Sequence, residues 1–372
     1  MRFLILSTAT GEGHNSASLA VGKALEARDC ETKVLDVLKL KKESVSRRVS
    51  DLYAGITVHS PRFFSKLYRI GELISSPGGH SPIYGLNTLY ADRLFEEITR
   101  FRPDAIICPH IFSAQAITHL RRDHGLKLPA AGLATDYTCI PFWEESSLDS
   151  YIIPHAALKQ EFASKGISPE LLCPLGIPVQ PEFLKHVPKE EARRSFHLTA
   201  SHIFLLMGGS MGYGDIDRIA AALTEAIPDS QAVVLCGNNQ ELLHRLIPTE
   251  KIIPFTYTDR VAELMDAADV VLTKPGGLSS TEAIAKRVPL VLTQPIPGCE
   301  QRNAEFLSSH GAAVFRQDIK DIVSAVRELA LDEGAAENIK EAQKKFWPDD
   351  TNERIADYLI ALASRTVGCK VQ

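Results

Sequence analysis

The sequence predicts an α/β protein made of two parallel, doubly wound sheets. Three observations carry that prediction. Short apolar runs alternate with amphipathic helical stretches in both halves of the chain, the pattern of a parallel sheet wrapped by helices. A length of 372 residues suits two such domains of ordinary size. Between the halves lies a stretch with four prolines from Pro174 to Pro188, a composition that suits an interdomain linker.

Composition narrows the function classes. Hydrophobic residues make up 45% and charged residues 23%, as in soluble globular proteins. No apolar run reaches the ~18 residues that span a bilayer. The opening MRFLILSTAT reads as a buried strand running into a glycine turn, not as a signal peptide. Seven cysteines are scattered without a CxxC pair, which points to reduced cytoplasmic thiols and away from a zinc site or disulfide framework. The net charge is −5 and falls mostly on the second half, so the mildly basic first half is the side suited to an anionic surface.

In the first half, Phe3–Ser7 reads as a buried strand and Ala17–Arg28 as a helix. TATGEGHNS between them lacks the third glycine of a dinucleotide fingerprint and the Gly-Lys-Ser/Thr of a P-loop. Gly11 and Gly13 make a tight turn that puts His14 at a helix start, where the positive helix end favours a neutral imidazole suited to a general base. A capping or loop histidine explains the turn equally simply. Lys33–Val37 is the second expected strand. Residues 44–100 interleave aromatics (Phe63, Phe64 and Tyr68 among them) with basic residues including Arg62. That mixture fits a membrane-touching interfacial segment or the core-facing sides of two helices. A nucleic-acid surface fits less well, given the acidic residues there and the acidic protein. Further strands are expected at Asp104–Cys108, Ala130–Thr135 and Asp149–Ile153. His14, His110 and Asp136 all follow strands, and ligands of doubly wound sheets bind beyond the carboxyl ends of strands. Asp136 fits a base, the orienter of a base, or a turn cap.

The second half restarts the pattern. His202–Met207 is a strand followed by GGSMGYG, a glycine-rich turn of the kind that cradles phosphate with backbone N–H groups. Asp215 and Asp217 resemble a DxD metal motif but sit at a helix start, where acidic residues stabilise the dipole. Strands are expected at Gln231–Gly237, Ile252–Tyr257, Val270–Thr273 and Leu290–Thr293, with helices from Val261, at Ile319–Leu331 and at Asn352–Ser364. The stretch from Asp269 to Asn303 is the most telling. A buried strand, Gly276-Gly277, and a helix with Ser279, Ser280 and Thr281 at its start make an anion site, and Glu282 one turn in can accept sugar hydroxyls. A diphosphate flanked by a ribose satisfies both features; an ordinary strand-turn-helix with capping serines is the plainer alternative.

The ordered set TATGEGH, TDY…PFW, LGIPVQPEF, GGSMGYG, FTYTDRVAELMDAADVVLTKPGGLSSTEA and PIPGCEQRN resembles the diacylglycerol glycosyltransferases of glycosyltransferase family 28. That group holds the monogalactosyldiacylglycerol synthases and the bacterial processive diacylglycerol glucosyltransferases. The resemblance covers nearly the whole chain. It implies a GT-B fold of two Rossmann-like domains facing a cleft. The lipid-binding domain spans 1–177 and a linker 178–200. The UDP-sugar domain spans 201–346, and a last helix within 347–372 crosses back to the first domain. It implies an inverting transfer of a hexose from UDP-glucose or UDP-galactose to diacylglycerol, with no cofactor and no metal.

By motif position, His14 is the general base and Asp136 its partner or rival. UDP lies against Gly209, Ser210, Tyr257, Gly276, Gly277, Leu278, Ser279 and Glu282. Glu300 and Asn303 meet the donor sugar. The acceptor lipid and an anionic membrane surface are met through Arg62, Phe63, Phe64 and Tyr68, on a peripheral protein at the cytoplasmic face of the cell membrane. No nucleic-acid partner is expected.

Four positions depart from the family pattern. Cys299 replaces the glutamine of PGQE, and Gln180 stands where an arginine is common, leaving Lys274 or Arg302 to serve as phosphate cation. Ile140 precedes Pro141 where plant enzymes carry histidine, and Thr256 precedes Tyr257 where glycine is usual. These point to a divergent bacterial member. The rival readings are a transferase for a polyprenyl-linked or other lipid acceptor, a UDP-sugar epimerase, and a non-catalytic UDP-sugar- or lipid-binding protein.

Overall fold

The structure, a computed structural model, describes residues 1–8, 12–40, 81–208, 214–296 and 298–367. Two compact units divide the chain: residues 1–180 with 350–372, and residues 181–349. The expected sites at Gly209, Ser210, Arg62, Phe63, Phe64 and Tyr68 lie outside the described residues.

The first unit holds a six-stranded parallel sheet of β1 (Arg2–Ser7), β2 (Glu31–Asp36), β3 (Ala105–Cys108), β4 (Ala130–Leu133), β5 (Ser150–Ile153) and β6 (Leu172–Pro174), in the order β2-β1-β3-β4-β5-β6. Burial explains the order. Phe3, Leu4, Ile5 and Leu6 are completely buried, so β1 needs cover on both faces and neighbours on both sides. β2 mixes exposed Glu31 with half-buried residues and takes an edge. Each fully buried aliphatic side chain contributes about 1.5–3 kcal/mol to this packing. Around the sheet run α1 (Glu12–Glu26), α2 (Pro82–Thr88), α3 (Ala91–Phe101), α4 (Ile111–His124) and α5 (Lys159–Ser164). α3 settles its part of the aromatic and basic region: Leu94, Ile98 and Phe101 are buried, so this helix turns its apolar face to the core. On and just after α2, Leu86 and Leu89 stay exposed.

The second unit repeats the plan with β7 (His202–Met207), β8 (Ser230–Leu235), β9 (Ile252–Phe255), β10 (Val270–Thr273), β11 (Leu290–Leu292) and β12 (Val314–Phe315), in the order β12-β11-β10-β7-β8-β9. Counted within the unit this is 3-2-1-4-5-6, the order of a dinucleotide-type Rossmann sheet. Its helices are α6 (Lys189–Ser195), α7 (Ile216–Ala226), α8 (Gln240–Arg245), α9 (Val261–Ala267), α10 (Gly277–Ala285), α11 (Cys299–Ser309), α12 (Ile319–Leu331) and α13 (Glu333–Phe346). Ile216, Ile219, Ala220 and Leu223 of α7 join Ile322, Val326 and Leu329 of α12 in one core cluster over β7, β8 and β10. A buried ion pair fixes α10 to α9, with Lys286 Nζ 2.5 Å from Asp266 Oδ2.

The final helix, α14 (Thr351–Val367), belongs to the first unit and packs on α1 and β3. Asn352 holds it there: its side chain accepts from Val179 N–H (3.1 Å) and donates to Val179 C=O (2.7 Å). The six described cysteines are free thiols, and burial pushes the Cys108 thiol up to about 12, so it is an inert core group. Among the described residues, no helix is long and apolar enough to cross a membrane.

Candidate active site

Each sheet has one place where successive connections leave in opposite directions. It lies beside β1 and β3 in the first unit and beside β7 and β10 in the second. Ligands of open α/β sheets bind beyond the strand ends at such points.

In the first unit the loops after β1, β3 and β4 bring four polar side chains together. His14 sits in the first turn of α1. That turn is tied to the strand by a hydrogen bond from Ser7 to the Asn15 side chain, and Ser18 Oγ donates to the His14 carbonyl at 2.6 Å. His14 Nδ1 lies 3.0 Å from Thr135 Oγ1. The His14 and His110 rings meet edge to face, with centroids 4.6 Å apart and planes at 81°. Burial lowers the His14 pKa from its ordinary 6.5, opposed by the Asp136 carboxylate and by a hydrogen bond to the Pro109 carbonyl. The imidazole is therefore neutral at pH 7 and able to take a proton. The Asp136 carboxylate is close enough to favour the imidazolium that forms on proton uptake.

The surrounding chain fixes this arrangement. His110 caps α4, its Nδ1 accepting from Phe112 N–H at 3.1 Å. Beyond Asp136, Glu161 accepts from Thr138 Oγ1 (2.6 Å) and Cys139 N–H (2.8 Å). Phe142 is buried with φ 78, a left-handed conformation that costs a bulky residue energy. Past it, the buried Glu145 accepts from Ser81 N–H (3.1 Å), Ser81 Oγ (2.8 Å) and Gln115 Nε2 (2.8 Å). The last turn before Glu145 is thereby locked to the start of α2.

In the second unit the chemistry comes from backbone. α10 starts at Gly277, two residues ahead of the serines taken as its start from sequence. Gly276 is its N-cap and supplies no side-chain cap, while the intrahelical ladder begins with Ser280 N–H to Gly276 C=O at 3.1 Å. The amides of Gly277, Leu278 and Ser279 are therefore the donors left without an intrahelical partner at the start of this nine-residue helix. Among the described residues, a Cβ added at Gly276, the residue before those amides, would meet nothing within 4 Å. Glu282 is buried one turn in. The hydroxyls of Thr273 and Ser280 are buried at the same strand end and helix start, with no hydrogen-bond partner among the described residues.

The turn is braced from α11. PIPGCEQRN reads as a loop in sequence, yet Cys299–Ser309 is a helix entered through Gly298 at φ 122. Glu300 accepts from Ile296 N–H at 2.8 Å and pairs with Lys274, and Asn303 Nδ2 donates to the Pro275 carbonyl at 3.0 Å. Lys274, expected as a phosphate cation, thus stands beside the glycine turn already paired with a carboxylate. Tyr257, just past β9, is 79% exposed. Asp215 and Asp217 follow the helix-start reading: Asp215 is the N-cap of α7 and receives Gln294 Nε2 (3.2 Å), and Asp217 receives Arg245 Nε (3.1 Å).

Sequence reasoning singles out His14, Asp136, the α10 residues, Lys274 and Glu300, but it does not pair Lys274 with Glu300 and gives no role to Thr135 or Glu161. Thr135 was legible only as the neighbour of Asp136; the other contacts join residues more than 20 positions apart.

Both units match known protein families. Residues 14–179 match the monogalactosyldiacylglycerol (MGDG) synthase family model, and residues 212–346 match glycosyl transferases group 1. The chain is a glycosyltransferase. Processive diacylglycerol beta-glucosyltransferases from Bacillus pumilus and Bacillus cereus are 26% and 25% identical to it, over 96% and 97% of this chain and 94% and 93% of theirs. Among solved structures, Acinetobacter baumannii MurG superposes with a TM-score of 0.61 at 14% identity, covering 96% of this glycosyltransferase and 98% of that chain. Anabaena HepE in complex with UDP-glucose gives 0.59 at 15% identity, covering 97% and 100%. The fold is GT-B, with each unit a Rossmann-like sheet.

Proposed function

We propose that this glycosyltransferase moves a hexose from a UDP-sugar to diacylglycerol with inversion at the sugar carbon, using His14 as the base. The observation that carries this reading is the neutral, half-buried His14 at the switch point of the first sheet, beside the Asp136 carboxylate. A base that removes the acceptor hydroxyl's proton lets that oxygen attack the sugar carbon directly, and a single displacement inverts it. Asp136 stabilises the imidazolium.

The departing UDP carries the negative charge. The orphan amides of Gly277, Leu278 and Ser279 and the positive end of α10 supply its stabilisation, with Glu282 on the ribose. Preorganised donors of this kind do the electrostatic work of a metal ion, so the reaction proceeds without one. Glu300 and Asn303 hold the turn beside the donor sugar. Relatives named as processive diacylglycerol beta-glucosyltransferases support diacylglycerol as the acceptor, and the protein is proposed to act peripherally on an anionic membrane, at its cytoplasmic face.

The test is a UDP-release assay. Purified protein is mixed with diacylglycerol-containing anionic vesicles and with UDP-glucose, UDP-galactose or UDP-N-acetylglucosamine in turn, with chelator present. Release that requires both the lipid and one sugar establishes the reaction and names the donor. Binding of UDP without release from any donor overturns it.

A further inference from the structure

His110 follows β3 as His14 follows β1, at the carboxyl ends of two adjacent parallel strands. Three contacts fix its ring. Nδ1 accepts from Phe112 N–H at 3.1 Å, the Phe112 ring lies edge-on at 4.4 Å between centroids, and the His14 ring lies edge-on at 4.6 Å. The main chain is equally set: the His110 carbonyl accepts from Ala114 N–H (3.1 Å) and from Ser113 Oγ (2.8 Å).

We propose that His110 is the positioning residue of His14: locked by its cap bond to Phe112 N–H, its ring is the wall that holds the His14 imidazole against Thr135. The inference rests on His14 being the base. Histidine is not among the favoured N-caps, whereas Asn, Asp and Ser cap with a shorter side chain. A cap alone therefore does not call for an imidazole here; a flat ring that reaches His14 while its own nitrogen is engaged does. Because Nδ1 accepts, the ring proton resides on Nε2 and the ring is neutral. Burial keeps it so, pushing the His110 pKa well below 6.5, and the neighbouring His14 adds to the effect. A neutral wall adds no repulsion when His14 takes up a proton. Among the described residues, the charged or titratable groups facing His14 are Asp136 from the loop after β4 and His110 from the loop after β3, and His14 faces His110.

Two variants of the full chain separate wall from cap. His110→Asn keeps a capping acceptor and removes the ring; His110→Phe keeps a ring and removes the acceptor. His14 titration is followed by NMR on histidine-labelled protein, beside turnover against pH, UDP affinity and thermal melting. In His110→Asn, His14 gains access to water and its pKa rises. Turnover then falls about 10-fold near pH 6.5, as for a misplaced reacting group, recovers partly by pH 8, and leaves UDP affinity and melting close to wild type. His110→Phe melts lower yet keeps the His14 titration. An unchanged His14 titration in His110→Asn overturns the proposal, as does loss of turnover that merely tracks melting in both variants. The NMR readout does not need catalysis. If His14→Ala leaves turnover intact, the base assignment fails, and the titration in His110→Asn still decides whether His110 positions the ring.

Discussion

The two units share a sheet plan but arm it differently. Beside β1 and β3 the chemistry is made of side chains: His14, Thr135, His110 and Asp136 come from three loops. Beside β7 and β10 it is made of main chain, the uncapped start of α10, with side chains from α11 bracing the turn. The difference follows from what each has to do. Proton transfer needs a titratable group of tuned pKa, which only a side chain supplies. Holding a diphosphate needs several fixed donors at short range, which a helix start supplies with no side-chain entropy to lose. Topology sets where a site forms, and residue chemistry sets what it does.

The sharpest way to break this contrast is His14→Ala. Loss of a general base should cut turnover by at least ~10²-fold while UDP affinity, measured by calorimetry, stays at the wild-type value. Unchanged turnover removes His14 from the mechanism.

Next in size is Gly276→Asp. Gly276 has φ −69 and ψ 138, which any residue adopts, and its Cβ would enter open space. An aspartate there caps α10 and occupies the anion site. UDP affinity should fall by about 10²-fold, the worth of two hydrogen bonds to a charged group, while the helix gains about 0.5 kcal/mol. Unaltered UDP binding in a correctly folded variant would remove the α10 amides from the site.

Glu282→Ala should weaken UDP about 10-fold through the lost ribose contact. Affinity unaltered by this change would overturn the ribose assignment.

The smallest effect is a shift of the pH profile. The His14 pKa is lowered, so the acid limb of the wild-type rate lies below pH 6.5. Asp136 raises that pKa, so Asp136→Asn should move the limb further down while slowing the plateau. A limb that moves up would contradict the electrostatic pairing.

How much of this was legible in the sequence differs between the same two regions. The buried strands His202–Met207 and Val270–Thr273 and the helix Ile319–Leu331 were delimited to the residue, because continuous apolar runs and a clean helical period leave little choice. β6 and β12 were not seen; they have three and two residues, and β6 ends in Pro174 within a proline-rich stretch. α11 was hidden behind Pro295, Pro297 and Gly298, which read as loop until Gly298 turns the chain into a helix. α13 is hidden in the sequence because Gly334 and a run of charged residues mask the spacing of Ile339, Gln343 and Phe346, its buried face.

The candidate site was legible where a motif carries it in consecutive residues, as at Gly276–Glu282. His14 and Asp136 were placed from strand ends alone. Their meeting, the Thr135 contact and the Lys274–Glu300 pair are tertiary, set by strand order, which no local pattern encodes.

The most direct test of the division of labour is a calorimetric titration of UDP into His14→Ala and Gly276→Asp side by side. The account predicts wild-type affinity in His14→Ala and affinity lower by about 10²-fold in Gly276→Asp. Loss of UDP binding in His14→Ala with retention in Gly276→Asp would contradict it.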